Sequence, residues 1–312
     1  TLGANPIRQP LENLRQAGSL YGAIIYQKAP VVMRQLEQLI GETTLRDGLR
    51  TYLSAHQYGN ATWSDLITVL DALTPEDLAA WSKAWVEEGW RPQLAAQWVN
   101  GAVIVTQTDP IPERQLRWTQ DVVLAMGTAT GVDTVRVRLT GDTVRVTVPT
   151  KPAWILLGAD GVGYGRMTLD DASRQALLAA APTLATPLHR ALAYHSLWET
   201  VLSGTTRPSE YLRVLMAAIP AERNELISTQ LLGHLRGTYW RYLSDSARRA
   251  AAPAVEAMLS QALASADGVS RKSALWSAFA NVALTDAGVA RLYRVWAKQE
   301  QIAGLTLSEQ QY

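Results

Sequence analysis

The sequence holds 312 residues, 47% of them hydrophobic and 18% charged, with 29 Lys and Arg against 28 Asp and Glu. This composition excludes a disordered segment as the main content, and a chain of this length buries roughly three quarters of its unfolded surface without covalent staples. A net charge of +1 argues against nucleic acid as the main partner, zero cysteine excludes disulfides, thiolate metal sites and cysteine nucleophiles, and no apolar run approaches the ~18 residues of a membrane span.

The chain opens Thr-Leu-Gly-Ala-Asn-Pro, with no Met and no basic-then-apolar leader pattern, so a piece of a longer polypeptide is expected. Residues 1–90 carry helical periodicity. After Asn5-Pro6 and Gln9-Pro10, apolar residues recur as Val31, Val32, Leu36, Leu39 and Ile40, with Gly41 as a stop. A second helix is expected over about 44–55, with Leu45, Leu49, Tyr52 and Leu53 on one face. A third starts near Thr62, whose Thr-Trp-Ser-Asp run offers caps. A fourth starts at Thr74-Pro75-Glu76-Asp77, with Thr74 as the cap, and carries Leu78, Trp81 and Trp85 to Gly89.

Over residues 91–170 the period changes from 3.6 to 2. The alternating runs Val135–Leu139 and Val144–Val148 flank Gly141-Asp142 and read as a hairpin, half-buried because one face is Val/Leu and the other Arg/Thr. Further strands are expected at 94–99, 102–108, 116–125 and 154–157. Strands at short spacing without intervening helices suggest a small β-sandwich.

From residue 171 the helical period returns. Helices are expected at 172–181, 187–203, 208–218, 221–235, 245–264, 270–283 and 286–303, broken at Pro182, Pro187, Gly204, Pro220, Gly233, Pro253, Gly268 and Gly288. Serial helices with short links suggest an array of stacked hairpins, cut within an element at its end, without a fixed repeat period. The expected fold class is therefore multidomain α+β, divided at 1–90, 91–170 and 171–312.

Few residues offer chemistry. The histidines are His56, His189, His195 and His234; none forms H-E-x-x-H, and His195 with Glu199 one turn on reads as a surface pair without a third ligand. There is no G-x-S-x-G elbow. The glycine run Gly158 to Gly165 lacks the G-K-[ST] ending of a phosphate loop and reads as a turn between strands. Trp63, Trp81, Trp85, Trp276 and Trp296 fall on apolar helix stripes and read as core. The segment Tyr21-Gly-Ala-Ile-Ile-Tyr26-Gln-Lys28-Ala-Pro30 admits two readings. It is a helix entrance with buried aromatics, or it holds a phenol that donates to a developing oxyanion. Spacing alone does not choose between them.

Tyr21 to Gly41 resembles the Y-x4-Y-E-K-G…L…LG stretch of the M1 family of zinc aminopeptidases, the aminopeptidase N-like peptidases. Leu45-Arg-Asp-Gly-Leu-Arg-Thr-Tyr52-Leu, followed by His56, Asn60-Ala61 and Asp65-Leu66, is similar to that family's F-x-x-G-L-x-x-Y-L…H…N-A…D-L. Residues 78–89 resemble the segment that closes its catalytic domain. Residues 152–166, with Gly163-Tyr164-Gly-Arg166, resemble its N-x-x-G-Y-Y-R element. Gln27 stands where the family has Glu, and Ala29 where it has Gly.

The resemblance implies three pieces. Residues 1–90 would be the helical end of a thermolysin-like catalytic domain, 91–170 a β-sandwich, and 171–312 an incomplete HEAT- or solenoid-like array. It implies that Tyr26 donates its hydroxyl to the tetrahedral oxyanion formed on the scissile carbonyl of a peptide substrate, with Tyr21 as a supporting aromatic. The family's zinc motif lies upstream of the position that Tyr26 matches. Zinc is therefore expected in the parent protein and none in this chain, which by itself should be inactive. A noncatalytic scaffold of the same architecture and an unrelated α-solenoid adaptor are the competing readings. Bacterial members of the look-alike subgroup are often exported, so the cell envelope is one compartment open to the parent. Nothing in the sequence sets an oligomeric state.

Overall fold

The structure, a computed structural model, describes residues 5–307 except 12, 14, 16, 17, 19–21 and 23. The chain divides into two units, Thr1–Ser173 and Arg174–Tyr312.

The first unit begins its described helices with a five-residue π-turn, Ile24–Lys28, which runs directly into α1 (Ala29–Ile40). Pro30 suits the opening of α1 because its missing N–H has no partner there anyway. Gly41 ends it with φ 87°. Helix α2 (Glu42–Ala55) follows at once, and α3 (Trp63–Asp71) starts from a full capping box. The Thr62 hydroxyl accepts from the Asp65 amide, and the Asp65 carboxylate accepts from the Thr62 amide. Helix α4 (Leu78–Ser82) is shorter than expected, and its cap is Asp77 rather than Thr74. The Asp77 carboxylate accepts from the Ala80 amide at 2.8 Å. Carboxylate caps carry charge toward the positive helix end, which a hydroxyl does not. A second π-turn, Lys83–Glu87, continues from α4. Val32, Leu36, Leu66, Leu70, Leu78, Trp81 and Trp85 form one apolar core with Trp118. Leu53, expected on the inward face of α2, is 64% exposed.

Seven strands follow: β1 (Gln93–Val99), β2 (Ala102–Thr108), β3 (Gln120–Thr128), β4 (Gly131–Leu139), β5 (Thr143–Thr147), β6 (Trp154–Leu157) and β7 (Arg166–Thr168). They form two sheets, ordered β5-β2-β1-β7 and β4-β3-β6. Leu94, Val103 and Val105 of the first sheet share a core with Val122, Leu124, Val137, Leu139 and Ile155 of the second. β1 and β2 close through Asn100-Gly101 at φ 46° and 80°, the left-handed pair that a tight hairpin turn requires. Gly127 of β3 lies opposite Trp154 of β6, and any Cβ there would stand 2.3 Å from the indole nitrogen.

The hairpin expected at Gly141-Asp142 does not form. β4 pairs over nine residues with β3, whereas β5 pairs with β2 in the other sheet. Gln107 of β2 explains the switch. Its amide donates to the Asp142 carbonyl and its side-chain amide to the Gly141 carbonyl, both at 2.8 Å. The turn is thereby drawn onto β2 before β5 begins. The third strand also starts later than expected, at Gln120, because Trp118 is turned into the helical core.

The second unit is helical: α5 (Asp171–Ala180, which begins in the first unit), α6 (Pro187–Leu202), α7 (Pro208–Ala221), α8 (Glu225–Gly237), α9 (Asp245–Ala264), α10 (Val269–Val282) and α11 (Asp286–Trp296). A third π-turn, Thr238–Tyr242, extends α8. Gly233 and Pro253, expected as breaks, lie inside α8 and α9. The buried stripe Ala252, Val255, Glu256, Leu259 and Leu263 keeps α9 unbroken through the exposed proline. The last helix stops at Trp296, and that tryptophan is 59% exposed rather than core. Inside this unit Glu256 acts as a remote cap. Its buried carboxylate accepts from the Leu284 and Thr285 amides at 2.7 and 2.8 Å, ahead of α11. Arg271 performs the mirror-image task, donating to the Ile219, Pro220 and Glu222 carbonyls where α7 ends.

His234 of α8 carries the unit's clearest pH dependence. Its Nδ1 lies 2.7 Å from the buried Tyr211 hydroxyl, which donates to the Tyr194 carbonyl, and its ring stacks on Trp198 at 4.6 Å. Burial, aided by the charge of nearby His195, pushes His234 down to about 4. An unfolded histidine titrates near 6.5, so between those values the unfolded state binds the extra proton. Stability is complete above about pH 6.5 and declines as pH falls toward 4, by up to about 3 kcal/mol from this group. Urea unfolding at pH 7 and pH 4.5 should show that loss in the native chain and a smaller one in His234→Gln. Equal losses would show that His234 is not its source.

Candidate active site

Tyr26 sits on the first π-turn and is 67% exposed, so the reading of this segment as an entrance with buried aromatics does not hold for it. Its amide donates to the Gly22 carbonyl at 3.0 Å. Tyr21 lies outside the described residues. π-turns are rare and concentrate at functional sites, because the wider turn re-aims a side chain that an α-helix would lay along its own surface.

The turn is held from behind. Lys28, its last residue, is 3% exposed, and its ammonium reaches the Asn5 carbonyl at 3.5 Å and the Trp90 carbonyl at 3.4 Å. Burial pushes its pKa down to about 8. One face of α1 then carries Val32, Gln35, Leu36 and Leu39 inward. Gln35 donates to the Val162 carbonyl at 2.6 Å, tying α1 to the glycine loop between β6 and β7. That loop is set in turn by Gln120, which accepts from the Tyr164 amide and donates to the Tyr164 carbonyl. Burial raises the Tyr164 phenol, and Arg91 opposes the shift. The two stretches with the sharpest sequence signals, 21–41 and 152–166, therefore meet through the Gln35–Val162 hydrogen bond.

Sequence reasoning missed Gln35 and Trp90 and gave Lys28 no role. Lys28 had one available signal: a cation at the start of a helix opposes the helix dipole, so its presence there asks for partners elsewhere. Among the described residues no three His, Asp or Glu side chains cluster closely enough to hold a metal ion. His195 and Glu199 both lie on α6, without a third ligand beside them. No described helix is long and apolar enough to cross a membrane.

Comparison with known proteins gives the same order of parts. Residues 1–85 match the model of the peptidase family M1 domain, and residues 154–301 match that of the ERAP1-like C-terminal domain. Aminopeptidase N of Streptomyces lividans is 27% identical over 302 residues, covering 90% of this chain and 35% of the relative. Aminopeptidase 2 of Candida albicans is 26% identical over 54% of this chain and 19% of its own length. The crystal structure of Legionella pneumophila aminopeptidase A in complex with aspartic acid superposes with a TM-score of 0.66, covering 95% of this chain and 40% of that one. At 16% identity this shows a shared fold. The matches to both an M1 domain and an ERAP1-like domain support an M1 aminopeptidase fragment, and the chain spans about a third of the length of the Streptomyces relative.

Proposed function

We propose that this chain is part of a zinc-dependent aminopeptidase that removes N-terminal residues from peptides, and that Tyr26 is its oxyanion donor. The exposure of the Tyr26 side chain on a π-turn inside the M1-matched region is the observation that carries this reading. A phenol there presents a neutral O–H donor. Aimed at the oxygen of the attacked carbonyl, it stabilises charge that exists only once the tetrahedral intermediate forms, which is the condition for raising turnover rather than binding. The described residues do not fit a zinc ion. The metal, which when bound supplies a Lewis acid and an activated water, belongs in this reading to other parts of the parent polypeptide. Residues 1–90 then end the catalytic domain, 91–170 form the β-sandwich, and 171–312 contribute a HEAT-like helical array.

The test uses the complete gene product that carries this chain. It should hydrolyse aminoacyl-nitroanilides, lose that activity to a zinc chelator and regain it with zinc, while the 312-residue chain shows none. A gene product without chelator-sensitive aminopeptidase activity would overturn the proposal. Zinc-dependent turnover by the 312-residue chain would overturn the placement of the metal site.

A further inference from the structure

We infer that Lys28 is a positioning residue, whose buried ammonium clamps the π-turn that presents Tyr26 to the carbonyls of Asn5 and Trp90. The inference rests on the reading of Tyr26 as an oxyanion donor and adds the device that aims it. Three observations converge on Lys28.

The first is location. Lys28 closes the π-turn, two residues from Tyr26, and is 3% exposed where Tyr26 is 67% exposed. The turn thus has one side chain buried and one exposed. The second is what the ammonium holds. Asn5 belongs to the segment whose Arg8 amide donates to the Val86 carbonyl of the second π-turn, and Trp90 follows that turn by three residues. Trp90 has φ 75°, a left-handed backbone that a bulky residue adopts only where its surroundings enforce it. A donor on its carbonyl is part of that enforcement. Through one ammonium, three stretches far apart in sequence (5–8, 24–28 and 83–90) share a common point.

The third observation is that stability does not ask for a lysine here. The charge is buried, and burial disfavours its protonated form. None of the ion pairs among the described residues involves it, and no neighbouring charge raises its pKa. A methionine would fill the same space without desolvating a charge. What a methionine lacks is donors, so the lysine's contribution lies in direction: it sets where the backbone at residues 24–28 stands relative to Trp90. Misplacing a reacting group by about 1 Å costs on the order of a hundredfold in rate, which is the scale on which such a clamp acts.

The experiment is a double-mutant cycle in the zinc-loaded gene product, with Tyr26→Phe, Lys28→Met and both together, and zinc content and melting temperature measured for each. Lys28→Met is expected to lower kcat roughly ten- to a hundredfold with KM nearly unchanged. It should have no further effect in the Tyr26→Phe background, because it acts only through that phenol. Lys28→Arg, which keeps donors for both carbonyls, should recover part of kcat. In the 312-residue chain, the 13Cζ resonance of Tyr26, assigned by its loss in Tyr26→Phe, should move in Lys28→Met and return toward its native position in Lys28→Arg. Full additivity of the two substitutions, or an unmoved Tyr26 resonance, overturns the positioning role. A Tyr26→Phe enzyme with normal kcat overturns instead the reading of Tyr26 on which the inference rests.

Discussion

Replacing Tyr26 by Phe should lower kcat of the complete gene product by about 10²–10³, the usual consequence of removing one oxyanion donor. In the 312-residue chain the same substitution should leave folding almost untouched. The side chain is 67% exposed, and surface changes away from caps and cores usually stay within about 0.5 kcal/mol. This dissociation makes the prediction specific. A residue important for packing loses stability and activity together, whereas a donor to a transient charge loses activity alone. KM should stay within a few-fold, because the oxyanion does not exist in the ground-state complex. Aminoacyl-nitroanilide kinetics, taken beside thermal unfolding and zinc content, read all three quantities. A kcat within threefold of the native value would remove Tyr26 from the chemistry.

Replacing Trp85 by Ala should cost about 3–5 kcal/mol, the largest stability effect anticipated for a single side chain here. Trp85 is fully buried, and its indole donates to the Thr119 carbonyl at 3.1 Å, immediately before β3. Its ring lies 6.4 Å from Trp81 and 6.0 Å from Tyr164. Truncation therefore leaves a cavity and removes the indole donor from a part-buried carbonyl at once, where the helical core meets the strands. Against a typical total of about 5–15 kcal/mol, the first unit would come close to its unfolding threshold. Trp85→Phe narrows the loss: it keeps one aromatic ring while removing the donor and part of the volume, for about 1–3 kcal/mol. Urea midpoints of the two variants test this ordering. An Ala variant no less stable than the Phe variant would mean that the core collapses around the site and leaves no cavity behind.

Much of the local structure was legible because it depends on neighbours in sequence. The Thr62–Asp65 capping box, the Gly41 stop and the short Trp154–Leu157 strand each follow from a few adjacent residues. The succession of helical, strand and helical zones follows from the period of the apolar residues. The resemblance carried by Tyr26, Lys28 and Gly163-Tyr164 was equally a matter of sequence alone, and the family-model matches fall on those stretches.

What the tertiary structure decided is which local preference wins where two are satisfied equally. Val135–Leu139 and Val144–Val148 alternate well enough to pair with each other, yet Gln107, some 30 residues earlier in the chain, draws the turn between them to the other sheet. Pro253 opposes a helix locally and is overruled by the buried stripe beneath it. Nothing beside Lys28 in the sequence shows that it is buried; the Asn5 and Trp90 carbonyls that meet its ammonium lie more than twenty residues away on either side. Periodicity records which side of an element is apolar, a property of adjacent residues. Sheet membership, the burial of a charge and the aim of a phenol depend on groups brought together from distant parts of the chain, and those only folding assembles.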